Sequence, residues 1–321
     1  MRLMGGVVLI LFGICSFLAP QKASAQRTAI DLQGISLDSL LNSDDRNYTY
    51  IGVRGFGRPT DYNDRILLLI DGHTANENVY GAAYFGTELP LDMDSVERIG
   101  VVRGPGSALY GTGAMFGVVN VITKAGDALE GVKVSGEAGS FRHVRGDASA
   151  GKRLKRGGEV LVSGVWGNVR GQDLYFKEYD APSTHRGVAE HLDWDRYYGL
   201  RARWAQGGLA LSGLVTSREK GIPTGAFGVV FNDPSSRTLD AREFVEARYE
   251  GRVSADKHIL WRGFFDHYDY RGRYPYQVLS FDASDGRWLG GELQFRWDPF
   301  PSSRLTVGAE HNRHFRADYR R

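Results

Sequence analysis

Residues 101–124 read VVRGPGSALYGTGAMFGVVNVITK, with glycines at 104, 106, 111, 113 and 117 between two valine-rich runs. Glycines that follow a strand raise the question of a phosphate cradle. A Walker loop requires Gly-x-x-x-x-Gly-Lys-Ser/Thr, and no Lys-Ser/Thr follows Gly111 or Gly113. A dinucleotide fingerprint requires Gly-x-Gly-x-x-Gly, whereas Gly104-Pro105-Gly106 is followed by Gly111, too late for the third glycine. Pro105 also removes a backbone donor that such a loop would use. The glycines instead predict tight turns and close backbone approach in a small packed domain. Around them, Val96 to Val102 and Val118 to Ile122 are strand candidates. Ser107 is placed to cap a short helical turn through Tyr110 that Gly111 ends. Upstream, Ile66 to Ile70 is an unbroken apolar run closed by Asp71-Gly72, the pattern of a strand buried on both faces that leads into a turn.

The N-terminus sets the compartment. Arg2 precedes an apolar run from Gly5 to Ala19, and Ala23-Ser24-Ala25 supplies small residues before Gln26, so residues 1–25 predict a cleaved secretory signal. Of the 40 Lys and Arg residues, Arg2 and Lys22 leave with it, which balances 38 basic against 38 acidic residues. A net charge near zero argues against nucleic acid as a partner, because that binding rests on phosphate neutralisation. Cys15, the only cysteine, leaves as well, so neither disulfides nor a cysteine-based metal site is expected. His311 and His314 are three apart and face opposite sides of a strand, so no metal site is expected from histidine.

From about residue 130 the pattern becomes period two. Tyr198, Leu200, Ala202 and Trp204 alternate with Gly199, Arg201 and Arg203; Val245, Ala247 and Tyr249 alternate with Glu246, Arg248 and Glu250. Leu293 to Trp297 and Leu305 to Ala309 repeat the scheme. Successive strand side chains point to opposite faces, so each segment has one greasy and one charged face. A soluble β-sandwich also alternates, but full charges on one face and aromatic ends on the other favour an outer-membrane barrel. Short connections such as Gln206-Gly207-Gly208 and Pro299 to Ser303 contrast with long polar ones, Gly171 to Asp193 and Glu219 to Asp240, as a barrel's two ends require.

Further residues carry a resemblance. Ile51-Gly52-Val53-Arg54-Gly55-Phe56, Arg65 to Gly72, Val96-Glu97-Arg98-Ile99, Val102 to Pro105, Tyr110-Gly111, Ala114 and Gly117 to Lys124 resemble, in order and spacing, the plug domain of TonB-dependent outer-membrane receptors. The resemblance implies a mixed α+β plug domain followed by an antiparallel transmembrane β-barrel, 22-stranded in the family. About nine strands are expected in this chain. It also implies a receptor that takes up a scarce nutrient (ferric siderophore, haem, cobalamin or oligosaccharide) across outer-membrane lipid, energised by TonB, ExbB and ExbD in a full-length form. The expected division is a signal at 1–25, a segment at 26–46 with a short helix and no evident TonB box, a plug at 47–125 lacking its N-terminal part, and the first part of a barrel at 130–321. On this reading the chain is a truncated receptor.

Such a protein has no catalytic centre and needs no cofactor, so residues are assigned by role. Arg54, Glu97, Arg98 and Arg103 are plug charges expected either to pair with the barrel interior or to be ordinarily solvated. Gly55, Gly72, Gly104, Gly106, Gly111 and Gly117 are expected at plug turns. Outward plug loops at Gly57 to Asn63 and His73 to Ala83 offer Tyr62, Asn76, Asn78 and Tyr80 to a small-molecule ligand such as a metal chelate. Tyr175 and Phe176 either join that site or fold their own loop. The competing readings are a receptor fragment or relic that does not transport, and an exported β-rich enzyme. The enzyme is disfavoured because no catalytic constellation can be assembled from spacing.

Overall fold

The computed structural model describes residues 8–10, 47–53, 61–300 and 303–321. Arg54, Gly55, the signal cleavage site and the acidic segment within 26–46 lie outside the described residues. One three-residue strand, β1 (Val8–Ile10), belongs to the large sheet described below.

The first unit is a four-stranded sheet in the order β3-β2-β5-β4. Its strands are β2 (Ile66–Ile70), β3 (His73–Thr74), β4 (Val96–Arg103) and β5 (Gly117–Thr123). β2 is buried on both faces, as the ILLLI run predicts, because it lies between antiparallel β3 and parallel β5. Burying such side chains contributes roughly 1.5–3 kcal/mol each. The Asp71-Gly72 turn has φ of 51° and 85°, the left-handed pair that a two-residue hairpin demands. The Asp71 carboxylate accepts from Thr123 N and Oγ1, both at 2.8 Å, and so ties this turn to the end of β5.

The glycine stretch folds as turns. Gly104 N donates to Phe116 O at 2.9 Å and Gly106 N to Ala114 O at 2.8 Å, so these amides are spent within the domain. A one-turn helix runs Ser107–Tyr110 and ends at Gly111, whose φ is 77°. Ser107 is not its cap: Gly106 takes the N-cap position, with no side-chain hydrogen bond there. The chain already turns at Gly104, so the helix starts one residue earlier than a Ser cap would allow.

The second unit is a wall of nine antiparallel strands: β6 (Gly131–Gly139), β7 (His143–Arg153), β8 (Glu159–Val169), β11 (Asp195–Gln206), β12 (Leu209–Gly221), β13 (Arg237–Ser254), β14 (Lys257–Pro275), β15 (Leu279–Phe300) and β16 (Ser303–Arg320). Each pairs with its neighbour in sequence, and β1 pairs along β16, so the sheet is open among the described residues. The turns at 154–158, 207–208 and 255–256 lie at one end, and the long connections 170–194 and 222–236 at the other. Within the first of these, β9 (Leu174–Tyr175) and β10 (Val188–Ala189) form a small hairpin.

Burial along the wall is inverted relative to a soluble sheet. On β11, Tyr198 and Leu200 are 51% and 54% exposed, while Tyr197 and Arg201 are each 3% exposed. On β13, Val245 faces out at 60% while Asp240, Arg242 and Glu246 are buried. A sandwich would bury the greasy face; here that face is outermost and the charged face meets the first unit, the alternation of a lipid-facing barrel. The main apolar core lies between the units, where Leu68, Ile70, Ala83 and Tyr84 pack with Leu214, Phe244, Tyr268 and Trp288 of the wall. Gly199 shows how close the approach is, since a Cβ there would overlap the Pro90 carbonyl oxygen.

Candidate functional site

Beside this apolar core, two polar features occupy the space between the wall and the first unit, the expected plug: a set of buried charge contacts and a tyrosine-lined cavity. The contacts centre on the β2–β3 turn, where five consecutive residues are gripped by the wall. Asp71 pairs with buried Arg201 of β11. The Gly72 carbonyl accepts from Arg262 Nη1 at 2.6 Å. His73 meets Glu246 Oε2 at Nδ1, 2.8 Å, and Asp266 Oδ1 at Nε2, 3.0 Å. The carbonyls of Thr74 and Ala75 accept from Arg242, which also pairs with Asp266 and lies 4.7 Å over the Trp288 ring.

His73 is wholly enclosed, stacked at 4.0 Å on Phe244 and edge-on to Phe264 at 5.1 Å. A carboxylate at each ring nitrogen makes both N–H groups donors, so the imidazolium is the form this site fits. Burial pulls its pKa down, but the hydrogen bonds and charges of Asp266 and Glu246 outweigh burial and hold it above the ordinary value.

A second contact lies nearer the loop end. Arg218 clasps Asp195 at 2.9–3.1 Å and donates to Asn47 O at 2.8 Å, while Asn47 Nδ2 donates to Thr238 Oγ1 at 2.8 Å. Thr87 Oγ1 donates to Asp195 at 3.0 Å. Glu88 accepts from Thr49 N and Phe85 N; burial pushes its carboxyl up to about 7 against the pull of Arg218 and these N–H groups.

The cavity encloses about 500 Å³ at the loop end of the wall. Nine tyrosines line it, from plug and wall alike, with Phe227, Asp282 and Arg321. A ladder of rings crosses it: Tyr319 of β16 meets Tyr80 at 6.2 Å, Tyr80 meets Tyr62 at 6.3 Å, and Tyr62 meets Tyr48 edge-on at 5.3 Å. Tyr48 continues to Tyr84 at 5.8 Å, which stacks on Tyr268 of β14 at 5.8 Å.

The residues singled out from sequence are distributed unevenly over these features. Tyr62 and Tyr80 stand in the cavity lining. Asn78 lies beside it, donating to His314 Nδ1 at 2.9 Å and Arg316 O at 3.0 Å. Asn76 is buried, and its amide is taken by Leu68 N, Ile66 O and Gly81 O, so it staples the loop and is closed to a ligand. Glu97 and Arg98 are exposed and pair with each other at 2.7 Å, and Arg103 is exposed, so the described wall makes no ion pair with any of the three. The plug instead meets the wall through His73, which the sequence reading left in an outward loop, and through Asp71, Thr87 and Asn47. Gly72, Gly104 and Gly111 do sit at positive-φ turns, whereas Gly106 and Gly117 serve close packing, Gly117 because a Cβ would stand 2.9 Å from Val102 O. Phe176 folds its own loop against Phe231 at 5.8 Å, and Tyr175 donates to Asp180.

Comparison with known proteins converges on one family. Residues 20–118 match the TonB-dependent Receptor Plug Domain, a stretch that starts ahead of the plug boundary expected at 47. The chain is 33% identical over 122 residues to the Vitamin B12 transporter BtuB of Vibrio vulnificus (strain CMCP6), which covers 38% of this chain and 19% of that protein. The fold matches the siderophore receptor PiuA from Acinetobacter baumannii with a TM-score of 0.59 at 14% identity, over 84% of this chain and 40% of the receptor. It matches the ferric-catecholate import receptor Fiu from E. coli K12 with a TM-score of 0.59 at 15% identity, over 83% and 44%. The chain thus spans less than half the length of these receptors. It carries a TonB-dependent receptor plug domain and nine strands with the fold of the receptors' barrel wall.

Proposed function

We propose that this plug-bearing chain belongs to an outer-membrane receptor that takes up a scarce nutrient by TonB-dependent transport. Its ligand enters from the loop end and meets the tyrosine-lined cavity first. A cleaved signal at 1–25 delivers the chain, lipid surrounds the outward apolar face, and TonB with ExbB and ExbD supplies the energy. The protein transports and does not catalyse; the transported classes are a ferric siderophore, haem, cobalamin or an oligosaccharide.

One observation carries this reading: the apolar faces of the strands point outward while their charged faces close on the plug. That arrangement has no energetic sense in water, where exposed apolar strips on successive strands would aggregate, and it suits a wall with lipid outside and a plug inside. The test is expression of the full-length receptor that carries this chain, with its own leader, in Gram-negative cells with and without TonB. Fractionation and uptake of radiolabelled cobalamin and of a ferric siderophore are then measured. The expected result is a heat-modifiable outer-membrane protein whose uptake disappears without TonB. A soluble periplasmic product, or uptake indifferent to TonB, overturns the proposal.

A further inference from the structure

On the receptor proposal above, the outward face of the wall meets lipid, and that face changes character along its strands. On β15 its side chains run Trp297, Phe295, Leu293, Gly291 and Leu289, and then turn to Arg287 and Asp285. Arg287 lies ten residues from Trp297, roughly 33 Å of strand at about 3.3 Å per residue. At a tilt of ~40° this is roughly 25 Å along the membrane normal, the height of a barrel's apolar band. Trp297, whose Nε1 donates to Asp256 Oδ2 at 2.8 Å, stands at the end of the short turns. Arg287 therefore marks the opposite border, level with the headgroups on the side of the long loops, which in such barrels is the outer leaflet.

A shallow apolar groove of about 720 Å³ lies in the band just below that border. Its lining includes Trp204, Ala247 and Trp261, and it ends toward the loops at Val245, Phe265 and Leu289. Register sets Glu243, His267 and Arg287 directly beyond those three, with Arg316 of β16 in the same row. Carboxylates in this patch are shared among cations. Asp285 accepts from Arg287 at 2.9 and 3.1 Å and from Arg316 at 2.7 Å, and His267, which meets Glu243 at 3.5 Å, stands 3.7 Å from it. Asp318 is shared by Arg316 at 3.1 Å and Arg320 at 3.4 Å, so three arginines divide two aspartates. Arg287 spends two of its five N–H donors on Asp285, and its side chain is 48% exposed. Such a guanidinium matches a phosphate, whose oxygens accept two parallel bonds, and a basic cluster at the membrane border attracts anionic lipid. The groove supplies the other half of the match, because a lipid headgroup held at Arg287 lays its acyl chain along Leu289 and Phe265.

We propose that this patch and groove bind one phosphorylated lipid of the outer leaflet, the lipid A anchor of lipopolysaccharide, with a phosphate on Arg287 and Arg316 and an acyl chain in the groove. Depth selects this occupant: the patch is level with the outer leaflet, where lipid A carries the phosphates, whereas glycerophospholipids fill the inner leaflet. The contact ties the loop end of the wall to its membrane and uses none of the side chains that face the plug.

The test uses the full-length receptor that carries this chain, purified from outer membranes and stripped of lipid in detergent, with lipid adducts titrated by native mass spectrometry. Three probes are compared: bis-phosphorylated lipid A, the same lipid with both phosphates removed, and phosphatidylglycerol. Lipid A is expected to bind at least tenfold more tightly than either of the others. Arg287→Gln combined with Arg316→Gln is expected to lower its affinity tenfold or more, to the level of the dephosphorylated form. Ala247→Phe fills the groove and is expected to weaken lipid A and its dephosphorylated form alike. Asp285→Asn removes the shared carboxylate, so it is expected to raise lipid A affinity at least threefold, a gain that a misfolded variant cannot mimic. Equal binding of lipid A with and without phosphates overturns the proposal, as does binding indifferent to the arginine pair. Phosphatidylglycerol binding as tight as lipid A overturns it too, because the patch then takes any anionic headgroup. A membrane-inserted receptor with TonB-dependent uptake and none of these differences sinks this proposal alone, whereas a soluble product sinks the receptor reading on which it rests.

Discussion

Asp266→Asn tests whether the plug is held by buried charge. The side chain is 0% exposed and accepts from His73 Nε2 at 3.0 Å and from Arg242 Nη2 at 2.5 Å, while its second oxygen has no hydrogen-bond partner. The amide keeps the shape, and its NH2 group can take the place of the unbonded oxygen, so the substitution removes charge without opening a cavity. Breaking a buried pair costs ~3–5 kcal/mol, because the surviving charge stays out of water. Here Arg242 keeps the carbonyls of Glu243, Thr74, Ala75 and His267, and His73 keeps Glu246, which places the loss at the low end, ~3 kcal/mol. That corresponds to about a hundredfold in the equilibrium between seated and unseated plug. Trp288, buried beneath Arg242, supplies an optical reporter, so urea titration of the detergent-solubilised protein by tryptophan emission reads the effect. With m near ~1–3 kcal/mol/M, the midpoint falls by roughly 1–3 M. Glu97→Gln is the control: it breaks an exposed pair and leaves the stability within about 0.5 kcal/mol of the parent. If Asp266→Asn shifts the midpoint no further than Glu97→Gln, the buried network does not hold the plug.

Three further outcomes follow from the same contacts. The raised pKa of His73 means its contribution is complete below the ordinary value of 6.5 and fades as pH climbs through the folded-state value, so plug stability falls on the alkaline side and His73→Asn flattens that slope in urea midpoints taken from pH 6 to 9. Leu200→Arg puts a charge on the outward face and costs about 2–4 kcal/mol in lipid, so outer-membrane levels drop on immunoblots; a soluble sheet, whose exposed face tolerates arginine, shows no loss. Gly199→Val drives a side chain into the Pro90 carbonyl and costs roughly 1–3 kcal/mol as overpacking, read as a lowered midpoint, whereas the outward Ala202→Val leaves it unchanged.

What was legible in the sequence followed local physics. The ILLLI run declared its own burial, because no solvent face exists to alternate with, and Asp71-Gly72 declared its turn through backbone conformation alone. Arg201 and Glu246 stood on charged faces of period-two segments, so their inward direction followed from the greasy residues beside them. Pairing was not legible. His73 and Asp266 lie 193 residues apart, and nothing near either announces the other. The plug charges the sequence made conspicuous, Glu97 and Arg98, turn to each other instead. Asn76 misled for a related reason: an asparagine in a polar loop offers the same groups to a ligand or to its own backbone, and only the fold decides between them. Ser107 misled because the left-handed turn at Gly104 sets where the helix begins, and no propensity at Ser107 can move it.

The choice of charge to hold the plug has a physical logic of its own. Replacing a buried ion pair by well-packed apolar groups is often neutral or stabilising, so tightness alone does not explain the Asp71–Arg201 and His73–Asp266 contacts. Reversibility does. When apolar surfaces part, the interior must hydrate them at a cost of roughly 25 cal/mol per Å². When ion pairs part in a wet interior, each charge regains the hydration it lost, so the opposing terms stay nearly balanced. The alternation that turns Tyr198 and Leu200 outward therefore also lines the inner face with Arg201, Arg242 and Glu246, a surface stable with the plug seated and, on the receptor reading, soluble once it leaves. The apolar side chains Leu214, Phe244, Tyr268 and Trp288 are the exception, and they pack on Leu68, Ile70 and the Ala82–Tyr84 segment of the plug. On that reading, an apolar core ringed by exchangeable charges fixes where the plug sits while limiting the work needed to move it.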